Sequence, residues 1–111
     1  MDPGTIVISI HDDWLAGALT LWLAAALPGR EVMRSMNGGV ASATTVLFTP
    51  SDCPPERAAE FSARGQRVVI LAPVARADEA DRYLRAGADY VVMSVDNAKL
   101  LNVLQGQPAR Q

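Results

Sequence analysis

The sequence predicts one α/β domain whose five strands form a parallel sheet of order 2-1-3-4-5, with helices on both faces. Three observations support this fold class. Short apolar runs rich in β-branched residues alternate along the chain with longer segments of helical character. Half of the 111 residues are apolar and 20% are charged, which is typical of a chain that folds around a core. The length suits one domain of ordinary size.

The predicted strands are short apolar runs that end at turn-forming residues. The first and fourth are continuous runs, as expected for strands buried on both faces of a parallel sheet. The second is more polar, and Asn37-Gly38-Gly39 closes it. We assign the five strands to Thr5–Ile10, Glu31–Met36, Thr44–Thr49, Arg67–Ala72 and Tyr90–Met93.

The predicted helices have recognisable ends. Asp12 or Asp13 is expected to cap the first, Pro54-Pro55 opens the next, and Gly87 follows the third. We assign the helices to Trp14–Leu27, Glu56–Arg64, Ala77–Ala86 and Asn97–Leu104. The segment between the second and third strands is shorter than the dozen or so residues of a full crossover, so the helix expected there must be shortened or absent.

Composition excludes several classes of function. The formal net charge is −2 and the pI is about 5.2, which argues against a large nucleic-acid footprint. A lone Cys53 excludes an internal disulfide and fits a reducing cytoplasm. We find no signal peptide, and the apolar stretch Leu15–Leu27 is shorter than the roughly 20 residues of a membrane span. No glycine-rich phosphate loop or Cys/His cluster is present, so we expect neither a cofactor nor an enzyme.

The segment Ala86–Ser94 reads Ala-Gly-Ala-Asp-Tyr-Val-Val-Met-Ser. It resembles the last strand of a response-regulator receiver (CheY-like) domain, which typically reads Gly-Ala, one or two residues, Tyr, two apolar residues and then Lys-Pro. The resemblance extends over nearly the whole chain and implies the flavodoxin-like fold of that family. Residues 1–105 are therefore identified as an atypical receiver domain, and residues 106–111 as a tail or the start of a linker.

The resemblance also implies that the phosphorylation site is degenerate. The family's phosphoacceptor Asp closes the third strand, where this chain has Thr49, whose hydroxyl cannot form the acyl phosphate. Ala72 stands where the family has a Ser or Thr hydroxyl, and Met93 stands where it has the Lys that holds the phosphoryl group. Asp52, three residues beyond Thr49, is either a substitute acceptor or a turn-forming residue beside prolines.

His11-Asp12-Asp13 is similar to the acidic cluster that binds Mg²⁺ in the family. Either His11-Asp12 or Asp12-Asp13 matches the two acidic positions, so Asp12 and Asp13 are the metal candidates. The alternative is that they cap the first helix and complement its positive end. His11, the only histidine, is expected to be hydrogen-bonded or solvated. Tyr90 matches the aromatic residue that switches between inward and outward positions in the family; the alternative is an ordinary strand aromatic.

The first predicted helix is apolar on all sides. Leu15, Leu19, Leu23 and their neighbours form the face that should cover the sheet, yet no charged residue occurs from Trp14 to Gly29. A helix of this kind is usually buried on both sides, which indicates a partner. The alternative is that alanines tolerate solvent and that one leucine is exposed by chance. The candidate interface consists of Trp14, Gly17, Leu21, Ala24 and Ala25.

These patterns predict a phosphorylation-independent, cytoplasmic signalling module that acts by protein–protein interaction. The partner is expected to be a second copy or another domain, such as a helix-turn-helix output that would itself bind DNA. The alternative is a sensor that binds a small ligand at the carboxyl ends of the strands. A conventional phosphorylated response regulator ranks third.

Overall fold

A computed structural model describes residues 5–35, 43–93 and 98–104. The sheet contains five strands, all parallel, in the order β2-β1-β3-β4-β5, which confirms the predicted topology. The strands are β1 Thr5–Ile8, β2 Glu31–Arg34, β3 Ala43–Phe48, β4 Arg67–Ala72 and β5 Asp89–Val92. The helices are α1 Asp13–Ala26, α2 Pro55–Ala63, α3 Ala77–Arg85 and α4 Ala98–Leu104.

Each predicted element is present, with its ends moved by at most two residues. Asp12 is the N-cap of α1, where its carboxylate accepts a hydrogen bond from the backbone N–H of Leu15. Gly87 follows α3 with a φ of 92°, a conformation that favours glycine. The predicted loss of a helix between β2 and β3 lies at residues 36–42, outside the described residues, as do Ser94 and the predicted tail at 106–111.

Helices cover both faces of the sheet, because successive strand residues point to opposite sides. On one face, Ile6 and Ile8 belong to a buried cluster with residues of α1 and α4. On the other face, Val7 belongs to a second buried cluster with residues of α2 and α3. The strands therefore run through the core, and the loops that follow them meet at the carboxyl edge of the sheet.

The inward face of α1 is the one that the sequence predicts. Leu19 and Leu23 are buried, and Leu15 and Trp22 are half-buried against the same cluster. None of the four described helices combines the length and the apolar character that a membrane crossing requires.

Candidate functional site at the carboxyl edge of the sheet

A cleft of about 350 Å³ opens at the carboxyl edge, between the loops that follow β1, β3 and β4 and the residue that follows β5. It lies where ligands bind in open α/β sheets. The structure therefore brings Asp12, Thr49 and Met93 together, as the resemblance implies. The described residues that line the cleft are Ile10, His11, Asp12, Leu15, Thr49, Ser51, Asp52, Pro73 and Met93.

Asp52 joins the loops that follow β1 and β3. Its Oδ1 accepts hydrogen bonds from the backbone N–H of His11 at 3.0 Å and from the ring Nδ1 of His11 at 2.6 Å. Its Oδ2 accepts from the backbone N–H of Thr49 at 3.4 Å and also from the Thr49 hydroxyl. The Asp52 side chain is only 5% exposed, whereas the His11 ring is 69% exposed. We call these three residues the Asp52 clasp.

The clasp keeps the Asp52 carboxylate charged. Burial acts to raise the pKa of Asp52, because it penalises the charged form, but the hydrogen bonds from Thr49 and His11 outweigh it. The net result is a pKa below the ordinary value for an aspartate. Asp52 also closes a turn, since its backbone N–H donates to the Thr49 carbonyl at 3.0 Å. Its expected turn-forming role is therefore present, and its side chain also contacts a second loop.

Asp12 and Asp13 are already engaged within the chain. Asp12 caps α1, and Asp13, whose side chain is 88% exposed, lies 2.6 Å from the guanidinium of Arg34. The same guanidinium donates to the carbonyls of Ile10 at 3.0 Å and His11 at 3.3 Å. A cation of the protein thus occupies the neighbourhood of the acidic cluster.

The residues present do not fit the Mg²⁺ site that the receiver family implies. That ion needs a nearly octahedral shell of oxygens, and Thr49, which directly follows β3, offers a hydroxyl and no carboxylate. Within residues 5–35, 43–93 and 98–104, no three His, Cys, Asp or Glu side chains are grouped to hold a metal ion. We therefore derive no metal-dependent step.

Ala72 and Met93 lie side by side at the ends of their strands. Ala72 is fully buried and has no hydroxyl to offer, and its carbonyl accepts a hydrogen bond from the Met93 N–H at 2.8 Å. Met93 is half-buried against the core that includes α1, and it forms part of the cleft wall. The residue that follows β5 therefore presents an apolar side chain to the cleft.

Two tyrosines connect the neighbouring loops. The rings of Tyr83 and Tyr90 stack with centroids 6.1 Å apart. The Tyr83 hydroxyl donates to the Cys53 carbonyl at 2.5 Å, and the Tyr90 hydroxyl donates to Glu79 Oε1 at 2.7 Å. Burial raises the pKa of Tyr83 to about 12, so its hydroxyl stays protonated at neutral pH. Tyr90, the expected switch aromatic, is half-buried and bonded to α3; its switching stays a prediction.

The outer face of α1 is open to solvent. Trp14 is 81% exposed and Leu21 is 77% exposed. Gly17, Ala24 and Ala25 are exposed as well, so all five candidate interface residues lie on the outer side of the helix. Cys53 by contrast is fully buried, and burial raises the pKa of its thiol to about 11, which makes it unreactive at neutral pH.

Sequence reasoning missed the position of Arg34 and the second role of Asp52. Arg34 ends β2 and His11 follows β1, and neighbouring parallel strands end at one edge of the sheet. The order of the strands therefore indicates Arg34 as a neighbour of the acidic cluster. Nothing in the sequence indicates that Asp52 bonds to His11, because the two residues are 41 positions apart.

Comparison with known proteins shows the fold. A scan against models of protein families found no match, and a search of curated proteins found none. Among solved structures, the signal receiver domain of a DNA binding response regulator protein (merR) from Colwellia psychrerythraea 34H matches with a TM-score of 0.72 at 17% identity, over 90% of this chain and 93% of that one. A response regulator from Thermotoga maritima matches with a TM-score of 0.71 at 14% identity, over 92% and 94%. A CheY-like receiver domain protein from Methanospirillum hungatei JF-1 matches with a TM-score of 0.67 at 21% identity, over 92% and 90%.

These structures are response-regulator receiver domains, and the chain shares their fold over nearly its whole length. At such low identity the likeness extends to the fold alone. A shared fold does not imply a shared function.

Proposed function

We propose that this chain is a phosphorylation-independent, receiver-like signalling module that acts by protein–protein interaction. Its principal contact is homodimerisation through the outer face of α1. We also propose control of an output domain, because two proteins of the same fold are named as DNA-binding response regulators. We propose a cytoplasmic location, since the lone buried Cys53 has no need of an oxidising compartment.

The Asp52 clasp is the observation that supports phosphorylation independence. Asp52 is the only carboxylate near the end of β3 among the described cleft residues, so it is the natural substitute acceptor. Both of its oxygens already accept hydrogen bonds, and the side chain is nearly buried. A phosphodonor would have to break these bonds before it reached an oxygen. Met93 supplies no charge to hold the product.

The outer face of α1 supports self-association. Exposed Trp14 and Leu21 lie on a helix without a charged side chain between Asp13 and Arg30. In a two-fold dimer the same surface meets itself, so an uncharged face brings no like charges together and buries no unpaired charge. Gly17 adds room, because no heavy atom lies within 4 Å of where its Cβ would be. A second copy of the chain is therefore the partner that best suits this face.

Treatment with acetyl phosphate and Mg²⁺ tests phosphorylation independence. We expect the intact mass to stay unchanged, because Thr49 is no acceptor and Asp52 is engaged. A conventional receiver domain in the same reaction is the positive control. A mass increase of one phosphoryl group that maps to Asp52, Asp12 or Asp13 would overturn the proposal.

The cleft favours a second candidate function, that of a small-ligand sensor. It lies beside Thr49 and Met93, where the family binds a phosphoryl group, and apolar side chains form much of its wall. The two functions are compatible, since Leu15 lines the cleft and also belongs to α1.

A further inference from the structure

The wall of the cleft has two chemically distinct sides. One is apolar and consists of Ile10, Leu15, Pro73 and Met93. The other is polar and consists of His11, Asp12, Thr49, Ser51 and Asp52. The volume of about 350 Å³ falls at the small end of the range for ligand pockets. A suitable occupant is therefore small and has both an apolar and a polar part.

The charges in the wall are negative. Asp52 is ionised, and Asp12 uses one carboxylate oxygen to cap α1 while its side chain lies at the open mouth. Among the described residues of the wall there is no Lys or Arg, because Met93 stands where the family has Lys. The described wall therefore favours a positively charged occupant over an anion.

His11 adds a hydrogen-bond acceptor to this side. Its Nδ1 lies 2.6 Å from Asp52 Oδ1, so beside an ionised carboxylate Nδ1 must bear the proton. In the neutral ring, Nε2 is then an acceptor with no proton of its own. Together with Asp12, the imidazole offers acceptors to a ligand group that is rich in N–H donors.

We propose that the cleft binds a small organic ammonium compound. Its apolar body packs against Ile10, Leu15 and Met93, and its ammonium group lies beside Asp12 and the His11 ring. A metal cation suits the site less well, because one side of the cleft is hydrocarbon and the described acids are not grouped as metal ligands. This assignment rests on the proposed function in one respect, that no phosphoryl group occupies the cleft.

Titration followed by two-dimensional ¹H–¹⁵N NMR tests the assignment, with 2-phenylethylamine as the probe. 3-Phenylpropionate, a probe of similar size and opposite charge, is the comparison. We expect saturating shifts of the Leu15, Thr49, Ser51 and Met93 amides with the amine. The amine should bind about tenfold more tightly than 3-phenylpropionate, because the carboxylates of the cleft attract an ammonium group and repel another carboxylate.

Two variants that change the charge of the cleft wall test its contribution to binding. Asp12→Asn keeps a good helix cap and removes the charge, so amine affinity should fall about fivefold. Met93→Lys puts a cation in the wall, so it should abolish amine binding and favour 3-phenylpropionate. Asp81→Asn, at an exposed position on α3, is the control and should leave both affinities unchanged.

Equal affinities for the two probes, no saturating shifts, or shifts centred on Trp14 and Leu21 would overturn the assignment. The proposed function fails by different observations, a phosphorylated product or a monomeric protein, both of which are measured without the amine. The two failures are therefore distinguishable.

Discussion

The carboxyl edge of the sheet and the outer face of α1 differ in how their side chains are bonded and covered. At the carboxyl edge, Asp52 bonds to His11 and Thr49, and Arg34 bonds to Asp13 and two loop carbonyls. On the outer face of α1, Trp14 and Leu21 are exposed to water. At the carboxyl edge the charged side chains have partners within the chain, and a cleft remains between the loops. On the outer face of α1 the large apolar side chains lack cover from the described residues.

Helix α3 shows what an ordinary solvent-facing helix of this chain looks like. Its outer side has two ion pairs spaced four residues apart, Asp78 with Arg82 at 3.4 Å and Asp81 with Arg85 at 3.1 Å. Both pairs are well exposed, so each contributes little stability and mainly makes the outer face of α3 hydrophilic. Helix α1 has no such pair. The difference between the two helices indicates that the outer face of α1 is less suited to solvent than the outer face of α3.

Disrupting the outer face of α1 should give the largest effect, a change in oligomeric state. In Leu21→Arg, a charge enters the centre of the proposed interface, so the protein should change from dimer to monomer. The free energy of unfolding of the monomer should change by no more than about 0.5 kcal/mol, because Leu21 makes little contact within one chain. Sedimentation velocity and urea denaturation measure the two quantities.

Ala59→Arg is the matched control for that variant. It places the same side chain at an exposed position on α2, and the protein should remain a dimer. A dimeric Leu21→Arg protein would show that the interface lies elsewhere. Loss of cooperative unfolding in Leu21→Arg would show that Leu21 belongs to the core.

Removing the Asp52 clasp should lower the free energy of unfolding without changing the oligomeric state. Asp52→Ala removes the acceptor of four hydrogen bonds and leaves the His11 and Thr49 donors unpaired. Since hydrogen bonds to charged groups contribute about 1.5–3 kcal/mol, we expect a loss of about 2 kcal/mol in the free energy of unfolding. Urea denaturation measures it, with the exposed Asp81→Ala as control. A loss below about 0.5 kcal/mol would mean that the clasp is not a structural contact.

Acid should weaken the same region. The pKa of Asp52 is lower in the folded protein than its ordinary value of about 3.9, which describes the unfolded chain. Its stabilisation is therefore fully present above about pH 4 and is lost as the pH falls through the folded-state pKa. The stability gap between wild type and Asp52→Ala should narrow as the pH falls below about pH 4. A gap that widens below about pH 4 would contradict the sign of the Asp52 shift.

Converting α1 into a helix like α3 gives the smallest expected effect on stability. Gly17→Glu combined with Leu21→Arg creates an ion pair spaced four residues apart, and the site of Gly17 has open space. Replacing a helical glycine should stabilise the monomer by about 0.5 kcal/mol relative to Leu21→Arg alone. The urea midpoint of the two monomers measures the difference. A less stable double variant would show that Gly17 is needed inside one chain.

The fold was predictable from the sequence because its signals are local. Apolar runs such as Arg67–Ala72 define strands, and Asp12 and Gly87 mark helix ends by their own backbone chemistry. The two faces of α1 follow from helical periodicity alone. The positions of Thr49, Ala72 and Met93 at the ends of three strands were predictable in the same way, because each follows or closes an apolar run.

The contacts that join the loops around the cleft were not predictable. Asp52 bonds across 41 residues to His11, and Arg34 reaches the acidic cluster from a neighbouring strand. Long-range side-chain pairs depend on the angle and length of loops, which periodicity does not encode. Asp52 beside prolines therefore looked like a turn residue, and only the folded chain shows that it is also a link between loops.

The most direct test of phosphorylation-independent assembly is sedimentation equilibrium of the wild-type protein, with and without acetyl phosphate and Mg²⁺. We predict twice the 11.8 kDa mass of one chain under both conditions, because the α1 face needs no modification to pair. A monomer that becomes a dimer only with the phosphodonor would contradict the central claim and restore a conventional receiver mechanism.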